Sequence, residues 1–344
     1  MRAVFIRHHG GPEVLELGKV EDPIPSSGEV LVKILYTSIN RIDTLVRNGY
    51  PGISIKFPHI LGSDVVGYVE KVSDDVTNVC VGDTVIVNPV IGCGYCKTCL
   101  KGLENMCSKW RMIGFQIDGS YAEYIKVPIR SLVKIESKLD LEKLGAVPLA
   151  LLTSWRSLVT LGNIKRNDTV FIWGGSGGVG TFSIQIAKFF GAHVITVTSK
   201  EWKIQKMKEL GADLVLNYNS SDLVDKVKEF TSCEGVDIVI DPIGSAISRS
   251  VDLDIVKVGG KIITFGVRDS DLLPINWRRI YLKHIKIIGM HTGNVWELMD
   301  AFQLVKKGYI QPIIHKTFNL EEIAEAHRLL ESGEVFGKIV IKVN

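Results

Sequence analysis

The chain has 344 residues, which is enough for two domains of ordinary size. Hydrophobic residues make up 46% of it and charged residues 23%, so the composition is that of a soluble protein able to build well-filled cores. The formal net charge of +3 is too small to indicate a nucleic-acid or membrane partner, and no apolar run approaches the length of a bilayer span.

Residues 1–148 are predicted to form a β-rich first domain. Short apolar runs, some of them alternating with polar residues, are separated by glycines and prolines, which is the pattern of a compact β-barrel with loops. The clearest predicted strands are 29–40, 65–72, 83–88 and 121–127.

Four cysteines of this domain lie within fifteen residues. Cys93, Cys96, Cys99 and Cys107 have the short spacing of ligands to one tetrahedral zinc ion. Four thiolates leave no coordination position for a substrate, so we expect the zinc to hold residues 93–107 in shape and to take no part in catalysis. Disulfides are the alternative, but C-x-x-C spacing is cramped for them, and residues 1–9 lack the apolar stretch of a secretory signal. We therefore expect a cytoplasmic protein with reduced thiols.

The pattern changes near residue 145, where strands and helices begin to alternate. A helix is predicted over 141–161, with Pro148 tolerated, and six short apolar strands with intervening helices follow. This order indicates an α/β second domain, assigned to 149–292, with a doubly wound six-stranded parallel sheet. The predicted strands are 169–173, 193–198, 214–217, 236–241, 261–265 and 285–289, and the predicted helices include 178–190, 201–210 and a charged helix that ends at 230.

Residues 293–344 are predicted to return to the first domain. Two helices, 295–307 and 320–330, precede a final strand over 338–343. Because six strands already complete the sheet of the second domain, we expect this last strand to join the β-rich domain.

A glycine-rich loop connects the first strand of the second domain to the next helix. Its sequence fits G-x-G-x-x-G in the strand–helix context that dinucleotide-binding folds require. The glycines permit a tight turn and a close approach of the pyrophosphate, and the amino end of the helix attracts phosphate. A tight turn without a ligand is the alternative. The residues assigned to cofactor binding are Gly175, Ser176, Gly177, Gly178, Val179 and Gly180.

The end of the second strand predicts which dinucleotide binds. Folds that prefer NAD usually carry Asp or Glu there, to accept a hydrogen bond from the ribose 2′-hydroxyl. This chain has Thr198, Ser199 and Lys200, with Lys203 one helical turn further on, and a hydroxyl with two ammonium groups suits a 2′-phosphate. NADP(H) is therefore predicted. NAD(H) is the alternative, with Glu201 at the ribose and the lysines solvated.

Motifs along nearly the whole chain resemble those of the medium-chain dehydrogenase/reductase superfamily, which includes zinc alcohol dehydrogenases and quinone oxidoreductases. The resemblance implies a GroES-like β-barrel catalytic domain that carries the structural zinc lobe, and a Rossmann domain. It also implies a homodimer or homotetramer that acts on a small molecule. The segments that carry the resemblance are 25–33, 61–67, 81–83, 119–124, the glycine loop and 337–340.

The catalytic zinc ligands of zinc alcohol dehydrogenases are not matched in this chain. Asn40 stands in place of a cysteine, Gly62-Ser63-Asp64 in place of a Gly-His-Glu motif, and Leu149 near the place of a second cysteine. An amide, a hydroxyl and a leucine do not make a zinc site, and one carboxylate will not hold the metal. We therefore expect an active site without a catalytic metal. His59 is off the motif and is interpreted as a loop histidine.

The same substitutions resemble the quinone oxidoreductase branch, although that branch generally lacks the four-cysteine lobe. The resemblance implies hydride transfer from NADPH to a quinone or to the β-carbon of an α,β-unsaturated carbonyl compound. Without a metal, hydrogen-bond donors must stabilise the charge that develops on the acceptor oxygen. Simple ketones and aldehydes need stronger polarisation than conjugated acceptors, which spread the charge. The predicted donors are Asn40, Tyr50 and Ser63.

Other residues near these motifs receive further interpretations. Family position assigns Arg41, Gly266 and Lys338 to the cofactor, and a solvated charge is the alternative for Arg41 and Lys338. Asp43 and Asp64 are interpreted as structural, either capping a helix or pairing with Arg41. Burial in a core is expected for Trp110, Trp277 and His291, with a place in the lining of the pocket as the alternative, and burial is also expected for Cys80 and Cys233.

Two alternative functions stay open. One is a zinc alcohol dehydrogenase with a rearranged metal site, which would carry two zinc ions per chain. The other is a catalytically silent nucleotide-binding protein, which would bind NADPH without turnover. A nucleic-acid-binding zinc ribbon is disfavoured because the net charge is near neutral and the lobe has few basic residues.

Overall fold

The computed structural model describes residues 1–136, 138–268, 272 and 275–344. The chain divides into two compact units. Unit 1 contains residues 1–152, 292–307 and 312–344, and unit 2 contains residues 153–291 and 308–311.

The first elements along the chain belong mainly to unit 1. They are β1 (Arg2–Ile6), β2 (Glu16–Lys19), β3 (Glu29–Ile39), α1 (Arg41–Asn48), β4 (His59–Ile60), β5 (Val66–Val72), β6 (Thr84–Val87), β7 (Val90–Ile91), β8 (Arg111–Met112), β9 (Tyr124–Pro128), β10 (Leu132–Lys134), α2 (Leu141–Gly145) and α3 (Pro148–Trp155).

Unit 1 is organised around the long strand β3, which pairs antiparallel with both β5 and β9. Side chains of a strand point alternately to its two faces, and in β3 the fully buried positions Val30, Val32 and Ile34 follow that period of two. A smaller sheet has the order β2-β1-β4, and β7 pairs with β8 as a two-stranded ribbon.

Unit 2 contains a six-stranded parallel sheet in the order β13-β12-β11-β14-β15-β16, as the sequence predicted. A sheet of this kind is covered on both faces, which explains the uninterrupted burial of Val170, Phe171 and Ile172 in its third strand. Its elements are β11 (Thr169–Ile172), α4 (Gly178–Phe189), β12 (His193–Thr198), α5 (Ile204–Glu209), β13 (Leu214–Asn217), α6 (Leu223–Phe230), β14 (Val236–Asp241), α7 (Ala246–Ile255), β15 (Val256–Thr264), α8 (Trp277–Leu282) and β16 (Lys286–Gly289).

The last elements belong to unit 1. They are α9 (Val295–Lys306), β17 (Ile314–Asn319), α10 (Ile323–Glu331) and β18 (Lys338–Lys342). Strand β18 pairs antiparallel with β3 and parallel with β17, which completes a sheet in the order β10-β6-β5-β3-β18-β17. The last strand therefore lies where the sequence predicted it, in the β-rich part of the protein.

The predicted helix over 141–161 is wrong in its continuity. The structure has two short helices, α2 and α3, followed by a π-helical segment, Arg156–Leu161. Pro148 is the first residue of α3, because a proline has no backbone N–H and its ring clashes with the preceding turn of a continuous helix. No helix in the described part of the chain is both long and apolar enough to cross a membrane.

Several expectations of burial are wrong. Cys80 and Cys233 are exposed, His291 is exposed, and the side chain of Trp277 is 70% exposed at the start of α8. Trp110 is half-buried and packs against the core of unit 1. His59, interpreted as a loop residue, is instead a buried residue of β4, with Nδ1 3.4 Å from Asp118.

Candidate functional site

Asn40 lies at the junction between β3 and α1. Its backbone is extended, with φ −116° and ψ 156°, and it is the N-cap residue of α1. Its backbone N–H donates to Oδ2 of Asp43 at 2.8 Å, so Asp43 caps the helix as the sequence predicted. The side chain of Asn40 is thereby free to face other partners.

Those partners form a buried polar cluster around Asp64, which is fully buried. Its Oδ1 accepts from the backbone N–H of Leu149 at 2.7 Å. Its Oδ2 accepts from Nδ2 of Asn40 at 2.7 Å, from the Ser38 hydroxyl, and from the Lys338 ammonium at 3.2 Å. Four donors, one of which is a buried counter-charge, satisfy this carboxylate, and this is the condition under which a buried ion pair is tolerated.

The ammonium of Lys338 fixes the direction of the Asn40 amide. It donates to Oδ2 of Asp64, to the backbone oxygen of Ile39 at 2.9 Å, and to Oδ1 of Asn40. Because an ammonium only donates and a carboxylate only accepts, the amide oxygen must face Lys338 and the amide nitrogen must face Asp64. One N–H of Nδ2 is left with no partner among the described residues.

The predicted contact of Lys338 with the cofactor needs correction. All three of its N–H bonds are donated inside unit 1, and the residue is 4% exposed. Its role in the structure is to neutralise Asp64 and to orient Asn40. Arg41 is exposed, and the predicted pairing of Asp43 or Asp64 with Arg41 is wrong because Asp64 pairs with Lys338.

The same cluster is a poor place for a metal ion. The carboxylate of the cluster, Asp64, already has its two oxygens occupied by four donors, and the Lys338 ammonium lies where a second cation would have to bind. In the described ranges, only the cysteine quartet brings three or more His, Cys, Asp or Glu side chains close enough to share an ion. The donors around Asn40 therefore do not fit a catalytic zinc.

The two other predicted donors differ in their availability. Ser63 is fully buried and donates its proton to the backbone oxygen of Ile113 at 2.9 Å, so the prediction that it polarises a substrate needs correction. Tyr50 is half-buried, with its ring edge-on to Phe115 at a centroid distance of 5.3 Å. Phe115 in turn lies 6.3 Å from Trp110, so three aromatic rings lie together after α1.

The four cysteines of the lobe converge as predicted. None of them forms a disulfide, and their sulfur atoms all lie within 4.8 Å of one another. The Cys93–Cys99 and Cys96–Cys107 sulfur distances are 3.9 and 3.8 Å. A tetrahedron with Zn–S bonds of about 2.3 Å has edges of about 3.8 Å, so the quartet fits a closed zinc site.

Backbone N–H groups point at these sulfurs. The N–H of Cys99 donates to Cys96 Sγ at 3.4 Å and lowers the pKa of Cys96 to about 6, whereas burial raises the pKa of Cys99 to about 12. A zinc ion would supply the charge that keeps the buried thiol ionised. The lobe is also tied to the segment before α9, because Asn105 donates to Asn294 Oδ1 at 3.0 Å and to the Thr292 oxygen at 2.7 Å.

The glycine loop of unit 2 lies between β11 and α4. A Cβ added to Gly175 would come within 2.0 Å of the Thr196 hydroxyl, and one added to Gly180 would come within 2.2 Å of the Gly174 oxygen. Only glycine fits at these two positions. The helix starts at Gly178, so its free backbone N–H groups face the loop, which suits a pyrophosphate.

The residues predicted to select the dinucleotide lie at the carboxyl end of β12. Thr198 is buried there, and the Ser199 hydroxyl accepts from Tyr218 at 3.1 Å. Lys203 is 5% exposed, and its ammonium lies 3.5 Å from the Ser176 hydroxyl of the glycine loop. A cation is therefore present between the loop and the strand end, whereas Glu201 is exposed. Gly266 packs against a neighbouring loop, where a Cβ at Gly244 would lie 1.8 Å from the Gly266 oxygen.

Two family models match the chain. Residues 26–137 match the alcohol dehydrogenase GroES-like domain, and residues 178–307 match the zinc-binding dehydrogenase family. Unit 1 contains the whole of the first matched segment, and unit 2 contains residues 178–291 of the second, whose remainder, 292–307, belongs to unit 1.

Relatives of similar length cover nearly the whole chain. An NAD-dependent alcohol dehydrogenase of Sulfurisphaera tokodaii is 33% identical over 99% of each chain. An acryloyl-coenzyme A reductase of the same organism is 30% identical over 99% of this chain and 100% of the relative. A quinone oxidoreductase of Homo sapiens is 28% identical over 99% of this chain and 97% of the relative. A solved NAD-dependent alcohol dehydrogenase superposes with a TM-score of 0.95 and 34% identity over the full length of both chains.

Proposed function

The chain belongs to the medium-chain dehydrogenase/reductase superfamily and is an NAD(P)-dependent oxidoreductase; on that premise, we propose that it reduces a quinone or an α,β-unsaturated carbonyl compound with NADPH and without a catalytic metal. The observation that carries the proposal is the Asn40 amide, held between the Lys338 ammonium and the Asp64 carboxylate with one N–H unengaged.

Asn40 supplies the hydrogen bond to the acceptor oxygen. When bound, the reduced nicotinamide supplies the hydride. Negative charge then grows on the acceptor oxygen, and a donor that is already oriented stabilises it without reorganisation. The Lys338 ammonium polarises the amide through Oδ1 and so makes the unengaged N–H a stronger donor.

Conjugated acceptors fit this donor set. A quinone or an enone spreads the developing charge over several atoms, so one amide N–H, with the hydroxyl of Tyr50 as a second donor, provides enough polarisation. The hydroxyl of Tyr50 has no partner among the described residues, and the rings of Phe115 and Trp110 beside it offer an apolar surface for a planar substrate. Two relatives are named for conjugated substrates, acryloyl-coenzyme A and quinones.

Unit 2 holds the cofactor in this proposal. Gly175 and Gly180 let the glycine loop pack closely against β12 and against itself, and the amino end of α4 faces the loop, where the pyrophosphate would bind. Lys203, with its ammonium 3.5 Å from Ser176, supports NADPH because a 2′-phosphate needs a cation at the end of β12. Lys200 and Ser199 are assigned to the same phosphate.

A second candidate is an alcohol dehydrogenase that binds a catalytic zinc at an atypical site. The names of the Sulfurisphaera relative and of the superposed structure favour it. It requires a metal beside Asp64, and hence displacement of the Lys338 ammonium from a carboxylate that it neutralises. That cost makes it the weaker candidate.

One set of measurements tests both candidates on the purified protein. We expect one zinc per chain by elemental analysis, NADPH oxidation with quinones or enones, and negligible turnover of simple aldehydes. Asn40→Ala should lower kcat by about 100-fold, as loss of one oriented donor does, whereas Ser63→Ala should retain most of the activity because its hydroxyl is bound to Ile113. Two zinc ions per chain with alcohol oxidation would establish the second candidate, and NADPH binding without any turnover would refute both.

We also propose that the protein is a cytoplasmic homodimer or homotetramer. Among the described strands, β16 pairs only with β15, so its other edge is open. Side chains nearby are apolar and exposed, with Ile287 at 42%, Tyr281 at 63% and Leu282 at 62%. An open strand edge beside exposed apolar residues is a natural surface for a second copy of the chain.

A further inference from the structure

A line of buried hydrogen bonds connects both ends of α1 to two other parts of unit 1. The Tyr121 hydroxyl donates to Asp43 Oδ2 at 3.0 Å, and the same hydroxyl lies 3.1 Å from Nε2 of His327 on α10. Nδ1 of His327 lies 2.9 Å from a guanidinium nitrogen of Arg47. All four side chains belong to residues at most 1% exposed. We call this set, Asp43, Tyr121, His327 and Arg47, the α1 chain.

Donation in the α1 chain has one direction. A guanidinium only donates, so Nδ1 of His327 must accept from Arg47. Burial and the charge of Arg47 lower the pKa of His327 to about 3, and the neutral ring therefore carries its proton on Nε2. That proton goes to the Tyr121 oxygen, which leaves the tyrosine's own proton for Asp43. Every donor thus points towards the Asp43 carboxylate.

Asp43 connects the α1 chain to Asn40, the proposed hydrogen-bond donor to the substrate. Its Oδ2 accepts both the Tyr121 hydroxyl and the Asn40 backbone N–H, while its Oδ1 is buried with no partner among the described atoms. The backbone of Asn40 is thus fixed by Asp43, and its side chain by Asp64 and Lys338. Loss of the backbone anchor would move the amide that the other two residues orient.

We propose that Tyr121 and His327 are positioning residues that hold the Asp43 carboxylate under the Asn40 backbone and so keep the Asn40 amide aimed at the acceptor oxygen. This role rests on the proposed function of Asn40. Neither residue touches the substrate in this arrangement. Both act through Asp43.

The charges around Asp43 make the arrangement sensitive to pH. Burial raises the pKa of Asp43 to about 7, against hydrogen bonds from Asn40 and Tyr121 that lower it. Lys338 also lowers it and Asp64 raises it, and these two are paired with each other. Arg47, on the same helix as Asp43, is paired with Glu331, and no ion pair to Asp43 is present among the residues that the structure describes. Protonation of Asp43 replaces a charge-assisted hydrogen bond to Asn40 with a weaker one.

The test compares Tyr121→Phe with Tyr124→Phe, a half-buried tyrosine three residues further along whose hydroxyl has no partner among the described residues. We expect Tyr121→Phe to lower kcat five- to tenfold with KM within twofold, since one hydrogen bond is lost away from the substrate. The acidic limb of the kcat/KM profile, near pH 7 in the wild type, should move to higher pH by about one unit because the carboxylate loses a donor. Tyr124→Phe should change neither quantity.

Two variants of His327 extend the test. His327→Gln keeps an acceptor for Arg47 and a donor for Tyr121, so its acidic limb should stay near that of the wild type, whereas His327→Leu should shift it as Tyr121→Phe does. If Tyr121→Phe and His327→Leu both lower stability but leave the acidic limb of the kcat/KM profile unchanged, the proposal is wrong. The α1 chain would then have a purely structural role.

The proposal can also fail independently of the proposed function. If the wild type reduces neither quinones nor enones, the proposed function is wrong, and the crystal structure of Tyr121→Phe then decides the positioning role. We expect a displaced or doubly oriented Asn40 amide in that variant. An Asn40 amide in its wild-type position would refute the positioning role.

Discussion

The ammonium of Lys338 lies 3.2 Å from a carboxylate oxygen of Asp64, and both side chains are buried although 274 positions separate them in the chain. The pair holds the Asn40 amide between a cation and an anion. At the positions where the resemblance to zinc alcohol dehydrogenases would place metal ligands, unit 1 of this protein has a buried ammonium that donates to the Asn40 amide oxygen. The role of this ion pair can therefore be tested by substitution of either Lys338 or Asp64.

Removal of one partner of this pair should be worse than removal of both. Lys338→Met leaves the Asp64 charge buried without a counter-ion and should lower the free energy of unfolding by about 3–5 kcal/mol. The double variant Lys338→Met/Asp64→Asn should recover part of that loss, as urea unfolding will show. Lys226→Met, which breaks an exposed pair with Asp222, serves as the control and should have no measurable effect. Additive effects of the two buried substitutions would contradict a direct coupling.

The cysteine lobe should bind one zinc ion and depend on every ligand. Cys107→Ser should lower zinc affinity by about tenfold or more and destabilise unit 1, since the metal stabilises the fold that contains its site. Native mass spectrometry gives the zinc content, and hydrogen exchange should show loosening of the segment around Asn294, which bonds to Asn105. The exposed Cys80 is the control, because Cys80→Ser should retain a full equivalent of zinc.

Lys203 should determine the preference for NADPH. Lys203→Met keeps the length of the side chain but loses the charge near Ser176, and should raise the KM for NADPH about tenfold while that for NADH changes less than twofold. Lys206→Met is a matched control, because both ammonium groups lie 5.2 Å from the Trp202 ring centroid. A preference of the wild type for NADH would contradict the assignment.

Asp43 should make the protein less stable as the pH rises. Burial raises its pKa from the ordinary value of 3.8 to about 7 in the folded protein, so between pH 4 and 7 the folded state binds the proton that the unfolded state has released. Stability therefore falls with rising pH across that window, by up to ~4 kcal/mol from this residue alone. Asp43→Asn should remove that fall. Denaturant unfolding at pH 5 and pH 7.5 measures it, and equal pH dependence in the wild type and the variant would refute the raised pKa.

The open edge of β16 should carry an interface between copies of the chain. Ile287→Asp places a charge beside that edge and should convert the oligomer to a smaller species, which light scattering coupled to size-exclusion chromatography detects. Ile24→Asp, at an exposed position in unit 1, should leave the mass unchanged. A wild-type protein that is monomeric at micromolar concentration would refute the proposed interface at β16.

Local patterns predicted the parts of the fold and site that local residues build. The glycine loop and the cysteine spacing are each contained in about fifteen residues or fewer. The parallel strands are indicated by uninterrupted apolar runs. Asn40 was found because a resemblance pointed to it. In the glycine loop and the cysteine lobe, the neighbours in sequence are also the partners in space, whereas the partners of Asn40, which are Asp64 and Lys338, are distant in the chain.

The remaining features depend on partners far away in the chain. Nothing near Ser63 indicates that its hydroxyl bonds to Ile113, and nothing near Lys338 indicates that its ammonium is buried against Asp64. The α1 chain joins Tyr121 to His327, which lies 206 positions further on, so sequence analysis missed it. A buried, polar histidine on an otherwise amphipathic helix was the one signal that could have raised the question.

The order of synthesis gives the pairing of β18 with β3 a further meaning. A nascent chain that has reached residue 337 already contains Asn40 and Asp64. Lys338, whose ammonium neutralises the buried Asp64 carboxylate, has not yet been translated. Folding of unit 1 must therefore wait for its last strand, and a ribosome-bound fragment would expose a sheet edge and an uncompensated carboxylate. Co-translational folding of this protein should accordingly begin in unit 2, whose parallel sheet is complete by residue 289.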